Sequence, residues 1–312
     1  MTFVLPRALF GANPQLRIGS LRDVNEEQDG RLRVAAIGFL NPAPLMWDFE
    51  HPPLSEVLAR RYRIDRMTPS ECATRLADGR ADIGLIPIAS LATTPGLKIL
   101  PGCTIASKGR VRSLLLVHRA SQPLTALRSV AADTASRTTL AYARILFHKW
   151  GHAEVPFVPL AANLDLMLER ADAAILIGDP ALLALEERFN RLERTGEEMV
   201  YRDLAEEWRA LTGLAFVSAV WGTACSGPLE ESIAEDFIRS RDHGLANIDA
   251  LVAEWSVRFP IPEETIRTYL TDNIHYVLDE ECVEGMRGFF RMAAEYGVLP
   301  PYTVAVEELA AR

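Results

Sequence analysis

Cysteine is scarce and scattered: the 312-residue chain has four, Cys72, Cys103, Cys225 and Cys282, and no CxxC pair. That spacing excludes zinc ribbons and dithiol redox motifs and leaves the thiols as small hydrophobes. Long apolar runs are absent as well; none reaches the roughly 18 residues of a membrane span. The six histidines, His51, His118, His148, His152, His243 and His275, form no HExxH, and the pair His148 and His152 straddles Gly151, so no metal site is expected. GxSxG, the P-loop and GxGxxG are all missing, which removes support for triad hydrolysis, nucleotide hydrolysis and dinucleotide chemistry. Positive charge is in deficit, 33 Lys and Arg against 42 Asp and Glu for a net charge of −9, so no basic face broad enough for nucleic acid is expected. An anionic ligand would have to be held by local donors, at helix N-termini or on a few arginines. The first residues, MTFVLPRALFGANPQLR, lack the basic start, long apolar core and small-residue cleavage site of a secretory signal. The expectation is a cytoplasmic protein with no membrane partner.

What the chain does have is a grammar of short strands stopped by turns. Hydrophobic residues make up 49% of it, and 312 residues suffice for two ordinary domains or one large one. The organising stretch is Arg33 to Leu45, RVAAIGFLNPAPL. Val34 to Leu40, interrupted only by Gly38, reads as a buried strand. Asn41-Pro42-Ala43-Pro44 stops it, because two prolines two apart continue neither a central ladder nor a helix interior. Asn41 is therefore placed at the C-terminal tip of a strand, the edge where open α/β sheets bind ligands. The alternative is a turn asparagine bonded to its own backbone.

The same pattern continues downstream. Residues 53–61 read as a helix, 62–67 as a strand, and Thr68-Pro69-Ser70-Glu71 opens a second helix, capped by Thr68 or Ser70, that ends at Gly79. Residues 81–88 form a strand ending on Pro87, with Ser90 just beyond it. Two strand candidates, 97–105 and 111–118, flank the polar turn Ser107-Lys108-Gly109-Arg110 and read as a hairpin or a crossover. A second set follows, with strands ending at Asp133, Pro159 and Ile177 and helices over 139–150, 163–169 and 181–189. After a helix at 205–211 and a strand at 214–220, the pattern is purely helical, near 228–243, 245–257, 263–273 and 279–297. This alternation predicts an α/β fold of two lobes, with parallel sheets covered on both faces. Residues 1–30 read as an extension carrying a charged, solvated stretch.

Chemistry collects at the strand ends. Asn41, Ser90, Ser107, Ser136, Arg137, Thr138, Asp179 and Trp221 all follow apolar runs. Ser136 and Thr138, with amides at a helix start, suit an anion, and Arg137 could add a bidentate fork to a carboxylate. The plainer alternative is an ordinary serine cap with a surface arginine. Asp179, in Ile177-Gly178-Asp179-Pro180, places a carboxylate in a cleft or else caps the helix that follows.

Taken together, RVAAIGFLNPAPL, ADIGLIPIASL, CTIASKGRVRSLLL, VAADTASRTTLAYARILF, ADAAILIGDPAL and DLAEEWRALTGLAFVSAVW closely resemble the menaquinone-biosynthesis dehydratases of the futalosine route, which act on chorismate. The resemblance covers roughly residues 31–300 and rests on six segments in order. A sister family, the 1,4-dihydroxy-6-naphthoate synthases, opens with a Ser-Pro-Cys-Pro-Asn-Asp type of turn where this chain has Phe39-Leu40-Asn41-Pro42. The chain departs from the usual pattern at Pro42-Ala43 and Leu214-Ala215.

The resemblance implies a two-lobed type II periplasmic-binding-protein fold with a ligand cleft between lobes and a helical C-terminal segment. Lobe one would comprise 31–117 plus 219–312, and lobe two 118–218. It implies loss of water from chorismate to give 3-[(1-carboxyvinyl)oxy]benzoate, with no metal or cofactor, in a monomer or homodimer. In that reading Asn41 orients the leaving hydroxyl or the enolpyruvyl group. Ser107 and Ser113 bind one carboxylate, with Ser90 at the same edge. Ser136, Arg137 and Thr138 bind the other carboxylate, and Asp179 holds the leaving hydroxyl or orders the cleft. The rival expectations are a non-catalytic binding protein of the same fold and the naphthoate synthase.

Overall fold

The computed structural model describes residues 30–135, 137–224 and 231–305. The expected extension lies outside them save for Gly30, and so does Ser136. Eleven described strands form two mixed sheets. They are β1 (Leu32–Ile37), β2 (Tyr62–Met67), β3 (Ile83–Pro87), β4 (Lys98–Ser107), β5 (Leu114–Arg119), β6 (Val130–Asp133), β7 (Phe157–Leu160), β8 (Ala173–Ile177), β9 (Met199–Asp203), β10 (Phe216–Thr223) and β11 (His275–Val277). The first sheet runs β11-β4-β10-β3-β1-β2 and the second β7-β6-β8-β5-β9. No helix among the described residues is long and apolar enough to cross a membrane.

Both sheets obey one plan. Three parallel strands, β2-β1-β3 or β7-β6-β8, are followed by an antiparallel strand that arrives from the other sheet, β10 beside β3 and β5 beside β8. The expectation of parallel sheets therefore holds for the strands joined by helices. It fails where the chain crosses over, because a strand entering from the opposite lobe runs the other way. The polar turn at 107–110 is a crossover and not a hairpin, since β4 and β5 lie in different sheets. The sheet changes between Ser107 and Leu114 on the way out and between Asp203 and Phe216 on the way back. The expected boundaries at 117/118 and 218/219 thus fall inside β5 and β10.

Local sequence explains most of the elements. Thr68 forms a capping box with Glu71, each side chain bonding the other's amide, at 3.4 and 2.8 Å. Asn163 caps the helix Leu164–Arg170 by accepting from Leu166 N. The strand β1 is buried over Val34–Ile37 and β8 throughout, as expected of strands covered on both faces. The expected helix over 181–189 is two, Gly178–Glu186 and Arg188–Thr195, and that over 263–273 changes at Tyr269 from α-helix to a π turn, Tyr269–Asn273. The short strands β9 and β11 were not expected.

Two packing centres hold the crossover and the Asn41 turn. Tyr142, on the helix Arg137–Lys149, stacks on Phe216 at 3.8 Å and meets Trp208 edge-on at 4.6 Å and Phe289 at 4.2 Å, all fully buried. The other centre is the helix Glu231–Ala246 against residues 44–48. Ser240 Oγ donates to Leu45 O at 2.9 Å and accepts from Asp48 N at 3.0 Å, while buried Asp48 takes His243 and Arg239. Gly244 is the closest approach, since a Cβ there would lie 2.1 Å from Pro44 O. Alanine is the better helix former by about 1 kcal/mol, but the clash is with backbone and cannot be relieved by a rotamer. Gly244→Ala is expected to lower the melting temperature by several degrees, measured by calorimetry; a variant as stable as the parent would show that residues 43–46 yield freely.

Candidate active site

The strand ends of the two lobes meet. After β1 the chain passes Gly38, Phe39, Leu40 and Asn41 and closes into a 3-10 turn, Ala43–Met46. Leu40 N donates to Asp179 Oδ1 at 2.9 Å, joining the end of β1 to the end of β8. Beside that bond Phe39 lies on Gly178, where a Cβ would come within 2.5 Å of the ring. Gly178 also has φ +59°, so both space and backbone conformation call for glycine. Three more bonds join the lobes: Ala89 N to Thr138 Oγ1 at 3.1 Å, Ser70 N to Ala135 O at 3.2 Å, and Arg137 Nη2 to Thr74 Oγ1 at 3.0 Å.

The contacts between the lobes enclose polar atoms. Asn41 Oδ1 is buried and accepts no hydrogen bond, so this residue is not the self-bonded turn asparagine. Ser90, fully buried at the start of the helix Ala89–Thr93, has an Oγ without a partner. Buried side-chain polar atoms are rarely left unpaired, and each such atom points to a use. Ser113 is also buried; its carbonyl accepts from Gly178 N at 2.8 Å, and its hydroxyl lies beside the phenol of Tyr269 without the geometry of a full hydrogen bond. Burial pushes the Asp179 carboxyl up to about 6, against the opposing pull of the Leu40 N–H. The helix that Asp179 begins has no side-chain cap, so the expected capping alternative does not occur.

Two expected residues stand apart from this cluster. Arg137 is exposed and holds Thr74, so it offers no fork to a buried carboxylate. Ser107 is buried, but its hydroxyl donates to Gly109 O at 2.9 Å and accepts from Gly109 N at 3.3 Å, which commits it to the crossover turn. Trp221 lies inside β10 with its ring on Phe237, 4.6 Å away, as a core residue. Ser136 lies outside the described residues.

Sequence reasoning missed Tyr269 and Tyr276. Both are buried with unpartnered hydroxyls, and Tyr269 is within the electrostatic reach of Asp179. No local motif announces them, because a tyrosine at helical spacing reads as core.

One cluster has metal-ligating residue types. His275, Asp279 and Cys282 bring ligand atoms within 4.8 Å of one another. Asp279 Oδ2, however, already holds Lys108 Nζ at 2.6 Å and His275 Nε2 at 2.9 Å, and Oδ1 caps the C-terminal helix at Cys282 N. Burial works against ionisation of Asp279, but Lys108 and the Cys282 amide outweigh it and hold the carboxyl at about 2. Burial pushes the Cys282 thiol up to about 12, far from a thiolate ligand. Lys108 from the outgoing crossover and Arg209 from the helix before the returning one both pair with Glu281. The cluster reads as an ionic clamp on the two crossovers.

Comparison with known proteins agrees with this architecture. The chain is 27% identical over 238 residues to a chorismate dehydratase of Thermus thermophilus, an alignment covering 73% of this chain and 85% of the relative. Among solved structures, a protein of Archaeoglobus fulgidus superposes with a TM-score of 0.63 at 13% identity, covering 88% of this chain and all of that one. The alkanesulfonate-binding protein of Xanthomonas axonopodis pv. citri, bound to MOPS, gives 0.61 at 14% identity, covering 89% of this chain and 97% of that one. A Candida albicans gene product with the generic periplasmic binding protein fold gives 0.59 at 14% identity, covering 88% and 92%. These likenesses establish a two-lobed periplasmic-binding-protein-like α/β fold. The menaquinone biosynthesis family matches residues 32–295, most of the chain and all of both sheets, and the protein belongs to that family.

Proposed function

We propose that the protein is a chorismate dehydratase, converting chorismate to 3-[(1-carboxyvinyl)oxy]benzoate for menaquinone biosynthesis by the futalosine route. The observation that carries this reading is the buried, unpaired Asn41 Oδ1 and Ser90 Oγ beside half-buried Asp179, where the strand ends of two lobes meet. The family and the chorismate dehydratase relative support it.

The reaction removes a proton from the ring carbon bearing the ether and hydroxide from its neighbour, and aromatisation drives it. The strand-end residues supply neither histidine nor glutamate as base. A carboxylate of the substrate takes the proton, with the effective molarity of an intramolecular group. Neutral hydroxyls such as Ser90 and Ser113 hold a carboxylate while depressing its basicity less than an arginine would. Asn41 Oδ1 accepts from the ring hydroxyl and fixes its direction. Asp179, neutral below about pH 6, protonates the departing hydroxide to water, and the proton from the ring carbon restores it. Donors preset around the developing charge in a dry enclosure lower the barrier.

The direct test is purified protein with chorismate, followed by ultraviolet absorbance and mass spectrometry for a product lighter by one water. Asn41→Ala is expected to lower kcat/KM by about 100-fold, the usual effect of losing one preset hydrogen-bonding group. Arg137→Ala, being exposed, is expected to stay within about fivefold of the parent. No turnover with heat stabilisation by chorismate would sink the dehydratase in favour of a binding protein.

Asp179 also predicts a pH dependence. Its folded pKa of about 6 lies above the ordinary value near 3.9. The neutral carboxyl therefore favours the folded state, fully below about pH 4, and that contribution is lost as pH rises through about 6. The upper bound is about 3 kcal/mol at 1.36 kcal/mol per unit. Denaturant melts of the parent and Asp179→Asn between pH 4 and 8 are expected to diverge, with the variant gaining relative stability as pH rises. Parallel curves would show that Asp179 does not titrate in that range.

A further inference from the structure

The C-terminal helical segment reaches the enclosed cluster at one turn. The helix Glu263–Thr268 runs into the π turn Tyr269–Asn273, closed by Ile274 N on Tyr269 O at 3.2 Å, and the chain then enters β11 with Tyr276. π turns are rare, and where they persist they frequently mark functional sites. This one carries Tyr269, fully buried, whose hydroxyl lies beside that of Ser113 and makes no hydrogen bond of full geometry. Asn273 Oδ1, from the same turn, and the Tyr276 hydroxyl are likewise buried and unpaired.

A phenylalanine at position 269 would fill the same volume without the cost of burying a poorly satisfied hydroxyl. The oxygen is therefore unfavourable to the fold unless something accepts its proton. Its surroundings say what that is. The Ser113 hydroxyl lies beside it, Asp179 and Asp203 act on it electrostatically, and it acts in the same way on Tyr276. Asp203 is already engaged by the amides of Val111, Arg112, Ala205 and Glu206, and Asp179 Oδ1 by Leu40 N. The phenol thus stands next to a neutral hydroxyl, while the nearby cations are engaged elsewhere, Arg137 with Thr74 and Arg112 with Glu186.

We infer that Tyr269 is a substrate-binding residue, its phenol O–H donating with Ser113 to a carboxylate of the ligand held between the lobes. The ligand class is a small cyclic carboxylate, and naming chorismate as that ligand rests on the function proposed above. Delivery from the π turn ties occupancy of the cleft to the C-terminal segment, a contact that neither lobe's strand ends provide alone.

Tyr269→Phe removes only the oxygen. A hydrogen bond to a charged group is worth about 1.5–3 kcal/mol, so KM for chorismate is expected to rise about 10- to 100-fold with a smaller change in kcat. The melting temperature of the ligand-free variant is expected to equal or exceed that of the parent. An unchanged KM, or a lowered melting temperature with unchanged kinetics, would overturn the assignment and make the hydroxyl structural. The inference stays separable from the reaction through heat stabilisation by chorismate. If the parent is stabilised but turns nothing over, the dehydratase fails, while a stabilisation reduced in Tyr269→Phe still upholds the contact. If chorismate does not stabilise the parent at all, substrate and contact fall together.

Discussion

The bond from Leu40 N to Asp179 Oδ1 is the constraint on which the rest depends. It unites the end of β1 with the end of β8, two points far apart in sequence that belong to different sheets. Such a bond forms only if the lobes approach within hydrogen-bonding distance, which in turn requires Gly178 under Phe39. Any larger residue at 178 would have to displace the Phe39 ring and adopt a left-handed backbone. Burial of that carboxyl is the first cause of its raised pKa, so closure and acidity are one property.

Closure on this scale needs a rigid frame behind each turn. For the Asn41 turn the frame is the helix Glu231–Ala246, which meets residues 44–48 through Gly244 and Ser240 and surrounds buried Asp48 with His243 and Arg239. Around the crossover it is the aromatic group of Tyr142, Trp208, Phe216 and Phe289, with the Lys108, Asp279, Glu281 and Arg209 ion pairs on its surface. Exposed ion pairs contribute little each, so the packing of rings carries the stability and the charges fix direction. The two segments that cross between sheets, Ser107 to Leu114 and Asp203 to Phe216, are both tied to the start of the C-terminal helix through Lys108 and Arg209.

Much of this was legible in the sequence for local reasons. Proline-stopped apolar runs announced β1, β3 and β8, and the chemistry of Thr68 and Asn163 announced their caps. Asn41, Ser90 and Asp179 stand out in the sequence because strand-end position is itself a local signal. What local residues left open shares a cause. Arg137 looked like an anion donor beside a helix start, but its reach to Thr74 is decided by the other lobe. The turn at Ser107 could have been a hairpin or a crossover, because local residues do not say to which sheet the next strand goes. Tyr269 left no trace, since a π turn differs from an α-helix by one residue of register and the polar company of a phenol is set by long-range packing.

The placement of charge follows from the same geometry. An acidic protein that binds a dicarboxylate would ordinarily place arginine against it, since an opposite charge stabilises an ion removed from water. Here the groups where the lobes meet are an amide, hydroxyls and a half-buried aspartic acid with a pKa raised to about 6. Such a set binds a carboxylate less tightly than guanidinium would, and it leaves that carboxylate more basic. On the dehydratase function proposed above, weaker binding is the condition for reaction: the substrate retains the group that removes its proton, and the protein's part is direction and the acid for the departing hydroxide.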